Sequence, residues 1–291
     1  MPPLLIEIPW NPNITKIGPF LLTWHGLFTS LGILAGVWLA LRIAAVVRWD
    51  PEEAYSTALV GVPCGIIGAR ALFVVEAWEY YGQHPWEIMQ LTEGGISIWG
   101  AIIGGIFGGW IFVLVRRYPA GRALDVAAFG ALLGQAIGRI GDLINGEHLA
   151  SPTNLPWGVV YTNPDSPAFA HSVTVGAHHP ATTYELLGDL IILGALFALL
   201  YRVRYVRAHP GLLFCCYFAA YAAMRFLITY TRVDSSYVLG LRVPQLVSLI
   251  TIAATVPLAA YFAFGYHDRA LDPPSVGPGG VREPPRGRRI R

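Results

Sequence analysis

Residues 124–147 read LDVAAFGALLGQAIGRIGDLINGE. An apolar run of bilayer length closes on Arg139, Asp142, Asn145 and Glu147, with His148 immediately after. A helix needs about 20 residues to cross hydrocarbon. Ionisable side chains at that depth are costly enough that such a cluster is by default a functional-site hypothesis. Gly138 and Gly141 flank Arg139 and loosen the outer end of the segment, which is tolerated only where protein or a water-filled cavity surrounds the backbone. The rest of the chain reads as the scaffold that holds these groups at one depth.

Composition supports that reading. Of 291 residues, 54% are apolar and only 13% are charged, against about 25% charged in a soluble domain. Six further stretches, roughly 20–47, 54–76, 96–115, 182–201, 210–231 and 244–266, have the length and apolarity of membrane spans. The expected fold is therefore all-α, a polytopic membrane bundle with seven transmembrane helices. It forms one domain over 20–266, after an N-terminal segment 1–19 and before a tail, 267–291, rich in Pro, Gly and Arg. The tail has no apolar periodicity and is expected to be disordered. The first apolar stretch follows Pro- and Trp-containing sequence and exceeds a signal h-region, so no removable signal peptide is expected.

Basic residues orient the bundle. Arg48, Arg116, Arg117, Arg122, Arg202, Arg204, Arg207 and the tail arginines fall on one side, against Lys16, Arg232 and Arg242 on the other. Loops 77–95 and 146–181 carry no Lys or Arg. By the positive-inside rule the first side is cytoplasmic, with the N-terminus outside and the C-terminus inside. Cys64, Cys215 and Cys216 lie within apolar segments and read as small hydrophobes, so the redox compartment stays open.

With orientation set, depth follows from about 1.5 Å of rise per residue. Arg139 and Arg225 each sit about 15 positions above the cytoplasmic start of their spans, roughly 22 Å up. His25, Arg70, Trp99, Glu185 and Asp189 lie near the outer ends of theirs. An arginine fork is planar, always charged and matched to phosphate. Two or three of them level with the outer headgroups point to capture of a phospholipid head. The competing reading is a structural network of Arg139 with Asp142 and Glu147; two arginines from separate spans, with few acids nearby, favour the ligand. Tyr221 lies one turn before Arg225 on the same face, placed to orient it or to contact a ligand. His25 is a candidate general base. Trp99 reads as an interface anchor and site wall.

The small residues Gly104, Gly105, Gly108 and Gly109 give the third span a face for close helix packing. His178, His179 and Glu185 lack metal-ligand spacing, and there is no phosphate loop, dinucleotide fingerprint or serine elbow. No metal, cofactor or nucleic-acid partner is expected.

The motifs together resemble one family. Trp24-His25-Gly26-Leu27, Gly68-Ala69-Arg70, Gly94-Gly95-Ile96-Ser97, Gly138-Arg139-Ile140-Gly141-Asp142 with Asn145-Gly146-Glu147, His179-Pro180-Ala181-Thr182-Thr183-Tyr184-Glu185, and Tyr221 with Arg225-Phe226 follow the order of prolipoprotein diacylglyceryl transferases. The resemblance covers 20–266. It implies an enzyme of the bacterial cytoplasmic membrane, active at the periplasmic face. That enzyme moves the diacylglyceryl group of phosphatidylglycerol to the lipobox cysteine thiol of a preprolipoprotein, and sn-glycerol-1-phosphate leaves.

The resemblance further implies that Arg139 and Arg225 hold the phosphate. Asn145, Glu147 and Glu185 would line the site and Tyr221 would support Arg225. Beside the resemblance, Glu147 is read as a catalytic candidate with His25, Arg139 and Arg225, and Asp142, Trp99 and Arg70 as further substrate-binding candidates, with membrane lipid as the surroundings. The chain departs from the family pattern at His25 (usually tyrosine), Trp99 (usually histidine), Asp142 (usually asparagine) and Thr229 (usually an acid). His25 then becomes the imidazole available as base. A non-catalytic homologue that binds anionic lipid or lipoprotein precursors, and an anion transporter, are the alternative readings.

Overall fold

Sequence signals at the segment ends decide where the helices begin in the computed structural model, which describes residues 5–18, 20–89, 97–233 and 236–266. Thr23 Oγ1 accepts the Gly26 N–H at 3.0 Å and starts α1, Trp24–Val46. Asp50 caps α2, Pro51–Glu76, by accepting the Glu52 N–H, with Pro51 in the first turn; an N-cap carboxylate followed by proline is a strong start signal. Then follow α3 (Ile98–Val115), α4 (Ala120–Asn145), α5 (Ala181–Arg202), α6 (Leu212–Ile228) and α7 (Val243–Ala260). Among the described residues, six helices are long and apolar enough to cross a membrane, counting the helical continuations of α6 to Thr231 and α7 to Gly265. The apolar stretch of α3, Ile103–Val115, is shorter and is not one of the six.

Two expected starts move. The second span begins at Pro51 because of the Asp50 cap. The fourth begins at Ala120, which puts Arg122 inside a helix; its guanidinium donates to the Arg48 carbonyl just past the end of α1. Helix ends leave orphan carbonyls that a basic side chain can satisfy, so Arg122 is a buried brace and not the loop charge the topology count assumed.

The packing is built from backbone-to-backbone helix contacts. A Cβ on Gly32 would lie 2.6 Å from the Gly134 carbonyl, and one on Gly36 would lie 2.6 Å from the Gly130 carbonyl. Only glycine permits α1 and α4 to touch this closely, a recurrent device where helices meet without a hydrophobic driving force. Higher up the same crossing, Gly141 stands 2.9 Å, measured from an added Cβ, from His25 Cα. The glycine face of α3 packs on Gly61, Cys64, Gly65 and Gly68 of α2, as the sequence indicated.

Helix α4 lies at the centre, against α1, α5 and α6. Phe129 and Leu132 pack with Leu196, Leu200 and Leu213, all fully buried. At the other end Asp125 of α4 accepts the N–H groups of Gly211 (2.8 Å) and Phe214 (2.9 Å), capping α6.

The described residues are mostly helical, and three short ladders qualify the all-α expectation. Strand β1 (Ile6–Ile8) pairs in parallel with β4 (Val159–Tyr161), and β2 (Asn13–Ile17) with β3 (Phe20–Thr23) in a hairpin. A third pair joins Tyr237–Val238 to Leu241–Arg242. Strand β1 thus ties the N-terminal segment to loop 146–181, where Ile8, Val159, Tyr161 and Ala168 form a small core of their own. The tail 267–291 and the Gly94-Gly95-Ile96 motif lie outside the described residues.

Candidate active site

The loosened helix end anticipated at Gly138–Gly141 is regular helix to Asn145, and α4 then stops sharply. Gly146 adopts φ +77°, the left-handed conformation glycine takes at helix C-termini. That turn swings Glu147 and His148 back over the last turn of α4, so the polar residues of 139–148 face one another instead of spreading along a helix.

Asp142, 6% exposed, is the first hub. Its Oδ2 receives Arg139 Nη1 at 2.7 Å, and its Oδ1 lies 2.7 Å from His25 Nδ1. The glycine crossing of α1 and α4 brings that imidazole here. His148 Nε2 approaches Oδ2 to 3.7 Å and Arg139 Nη1 to 3.3 Å. Asn145 accepts the His25 backbone N–H at 3.3 Å and donates to Glu147 Oε1 at 3.0 Å.

Glu185 of α5, 1% exposed, is the second hub. Arg139 Nη2 reaches its Oε2 at 2.8 Å. Arg225 of α6 pairs with its Oε1, and Arg232, just past α6, reaches the same oxygen at 3.2 Å. Three guanidinium groups from two helices and one loop therefore converge on one carboxylate. A buried charge left unpaired would be strongly destabilising; here each acid serves several bases.

The sequence-derived site residues fall as follows. His25, Arg139, Asp142, Asn145, Glu147, Glu185 and Arg225 form one connected set. Tyr221 lies beside this set, close enough to Arg139 of the neighbouring helix to interact with it electrostatically. Arg70 contacts another part of the molecule: it donates to the carbonyls of Glu87 (2.6 Å) and Ile88 (2.8 Å) and stacks over Tyr81, bracing the segment after α2. The side chain of Trp99 lies outside the described residues. Among those residues no group of three or more His, Cys, Asp or Glu is arranged to hold a metal ion.

Sequence reading missed Arg232, assigned only to the outer loop as a topology charge. It is 4% exposed. The chain places it by pairing 231–233 with 149–151, through Ser151 N to Thr231 O at 2.8 Å and Val233 N to Leu149 O at 3.1 Å. Arg242 adds support by donating to the carbonyls of Thr229 and Arg232. No periodicity marks a loop arginine as buried. Asp189 of α5 is 1% exposed and carries no hydrogen bond on either oxygen among the described residues.

The family profile for prolipoprotein diacylglyceryl transferase matches residues 12–261. A phosphatidylglycerol–prolipoprotein diacylglyceryl transferase of Dehalococcoides mccartyi is 38% identical over 258 residues, 88% of this chain and 95% of its own. A protein of the same name from Gloeobacter violaceus is 38% identical over 247 residues, 83% of this chain and 89% of its own. One from Symbiobacterium thermophilum is 35% identical over 255 residues, 87% of this chain and 92% of its own.

Proposed function

The chain belongs to the prolipoprotein diacylglyceryl transferase family, and from that premise we propose that the His25–Arg139–Asp142–Glu185–Arg225 cluster is its active site. The enzyme transfers the diacylglyceryl group of phosphatidylglycerol to a prolipoprotein; the acceptor is the lipobox cysteine thiol. The reading rests above all on Arg139 and Arg225, on separate helices, meeting at one carboxylate beside an imidazole.

Geometry and chemistry fit each other. The substrate brings its own nucleophile, so the protein needs a proton acceptor and a cation site. A thiolate, not a thiol, attacks carbon. His25, whose side chain is 40% exposed, takes the thiol proton. Sulfur then forms the thioether bond to the glyceryl CH2 as the C–O bond breaks, and its electron pair leaves with the phosphate of sn-glycerol-1-phosphate. Charge grows on that phosphate, where Arg139 and Arg225 stabilise it. Fixed donors aimed at developing charge are worth about 100- to 1,000-fold in rate each. Glu185 holds the two forks in register, and no electron changes hands, so the step as written calls for no cofactor.

The same reading completes the topology. Helix α3 joins the other six as a seventh crossing, and the N-terminus and loops 77–95 and 146–181 face out. The cluster then lies in the outer leaflet of the bacterial cytoplasmic membrane, where phosphatidylglycerol and the signal peptide meet. Purified protein with phosphatidylglycerol and a lipobox peptide is expected to add a diacylglyceryl mass to the peptide cysteine. His25→Phe should abolish that addition and keep lipid binding. Lipid binding by the unmodified chain with no mass added would contradict the proposal.

A further inference from the structure

Asp189 is 1% exposed, and among the described residues neither of its carboxylate oxygens accepts a hydrogen bond. Burying a polar group without a partner is costly, so an orphan of this kind calls for a cause. Asp189 lies four residues after Glu185 on the same face of α5, about 6 Å further along the helix axis. Groups from two other helices surround it. Arg139 of α4 and Tyr217 and Tyr221 of α6 are close enough to interact with it electrostatically. The Arg139 fork is engaged by Asp142 and Glu185, and the Tyr217 hydroxyl donates to Gln135 Oε1 at 3.4 Å. Two acceptor oxygens are thus held beside the arginine cluster with no donor directed at either.

We propose that Asp189 is the binding residue for the headgroup glycerol of phosphatidylglycerol, and that it selects a lipid by the hydroxyls of that group. The inference rests on the transferase reading and deepens it. Sulfur, relieved of its proton at His25, approaches the glyceryl CH2, and the phosphate oxygen departs on the far side of that carbon. The headgroup glycerol is attached to the departing phosphate, so it points away from His25 and into the bundle. With the phosphate between Arg139 and Arg225 at the level of Glu185, a glycerol unit spans the about 6 Å that separate Glu185 from Asp189. Its two adjacent hydroxyls are donors, and a carboxylate has two acceptor oxygens to receive them.

Burial sharpens the selection. Arg139 and Arg225 close on Glu185, and Asp189 is sealed from solvent. A phosphate that takes up both forks loosens them from Glu185 and admits the glycerol behind it. A headgroup without hydroxyls then leaves the carboxylate unpartnered, which is how a hydrogen-bonding site rejects such an analogue. Asp189 touches only the half of the lipid that leaves, and takes no part in the proton transfer.

Phosphatidylmethanol isolates this contact, because it keeps the phosphodiester charge and has no hydroxyl. Full-length protein in phosphatidylcholine nanodiscs, supplied with a lipobox peptide and either lipid, should favour phosphatidylglycerol in kcat/KM by at least about tenfold, the scale of one hydrogen bond to a charged group. Asp189→Ala should bring the two lipids to within about threefold, chiefly by raising KM for phosphatidylglycerol. A purely structural Asp189 would slow both lipids alike and leave their ratio as in wild type. That result overturns the proposal, as does a wild-type protein that uses both lipids equally.

The soluble headgroups give a second arm without turnover. By isothermal titration calorimetry, wild type should hold sn-glycerol-1-phosphate at least about tenfold more tightly than methyl phosphate, and Asp189→Ala should hold the two to within about threefold. Equal affinities in wild type, or an unchanged ratio in the variant, overturn the proposal. If Asp189→Ala fails to fold, Asp189→Asn decides. It has nearly the same shape but one acceptor oxygen, so the ratio should fall by at least about threefold; an unchanged ratio overturns the proposal. Should wild-type protein show the binding preference and leave the peptide unmodified, the transferase reading fails while the glycerol site stands.

Discussion

Glu185 shows how one side chain can hold a site together. Three guanidinium groups share its carboxylate at 1% exposure. Removing one partner of a buried pair typically costs about 3–5 kcal/mol, because the remaining charge is stranded. Glu185→Gln should therefore lower the unfolding temperature in detergent. Phosphatidylglycerol should raise that temperature more in the variant than in wild type, since an anionic headgroup supplies the missing charge and a ligand stabilises the state it binds. Differential scanning fluorimetry with and without the lipid measures both effects.

At this scale the sequence was legible where a charge stands in an apolar run. Arg139, Asp142, Asn145 and Arg225 declare themselves by their cost. The pairing was not legible, because helical period assigns a face and not a partner. Tyr221 shares a face with Arg225 and also lies beside Arg139. Arg232 was hidden altogether, since a loop arginine normally counts only toward topology.

Among the elements, the crossing of α1 and α4 places His25. An added Cβ at Gly141 would meet His25 Cα at 2.9 Å, Trp24 O at 3.0 Å and Phe28 Cβ at 3.1 Å. All three belong to the first turns of α1, two of the contacts are with backbone, and none is a flexible side-chain tip that could move aside. Gly141→Ala should push α1 outward and lengthen the His25–Asp142 contact. Catalytic geometry is sensitive to shifts of about 1 Å, which can cost about 100-fold. The expected outcome is a fall in kcat of at least about tenfold at nearly unchanged KM for phosphatidylglycerol; steady-state lipidation of a lipobox peptide checks it.

The helices were readable from apolar length, and the glycine face of α3 from its composition. The β1–β4 ladder was not. Each strand has three residues, too few to show alternation, and pairing between positions about 150 residues apart leaves no local signal.

For the whole molecule, the charge distribution implies an orientation that labelling can test. With Cys64, Cys215 and Cys216 replaced, Trp86→Cys in loop 77–95 should react with a membrane-impermeant maleimide in intact spheroplasts. Arg117→Cys, between α3 and α4, should react only after lysis. The reverse pattern would invert the bundle and put the cluster in the wrong leaflet. The same pair tests α3 as a crossing, since the two positions lie at its opposite ends. Such an orientation is legible because translocation reads Lys and Arg near span ends; Arg122 shows where the count misleads, as a basic residue that braces a helix end from inside the fold.

Grip of a single phosphate by Arg139 and Arg225 is the claim on which the account turns, and a structure with phosphatidylglycerol bound tests it most directly. The phosphate oxygens should lie within hydrogen-bond distance, roughly 3 Å, of both guanidinium groups, with the glyceryl CH2 on the side of His25. A lipid whose phosphate touches neither arginine, or only one with the other still closed on Glu185, would contradict it.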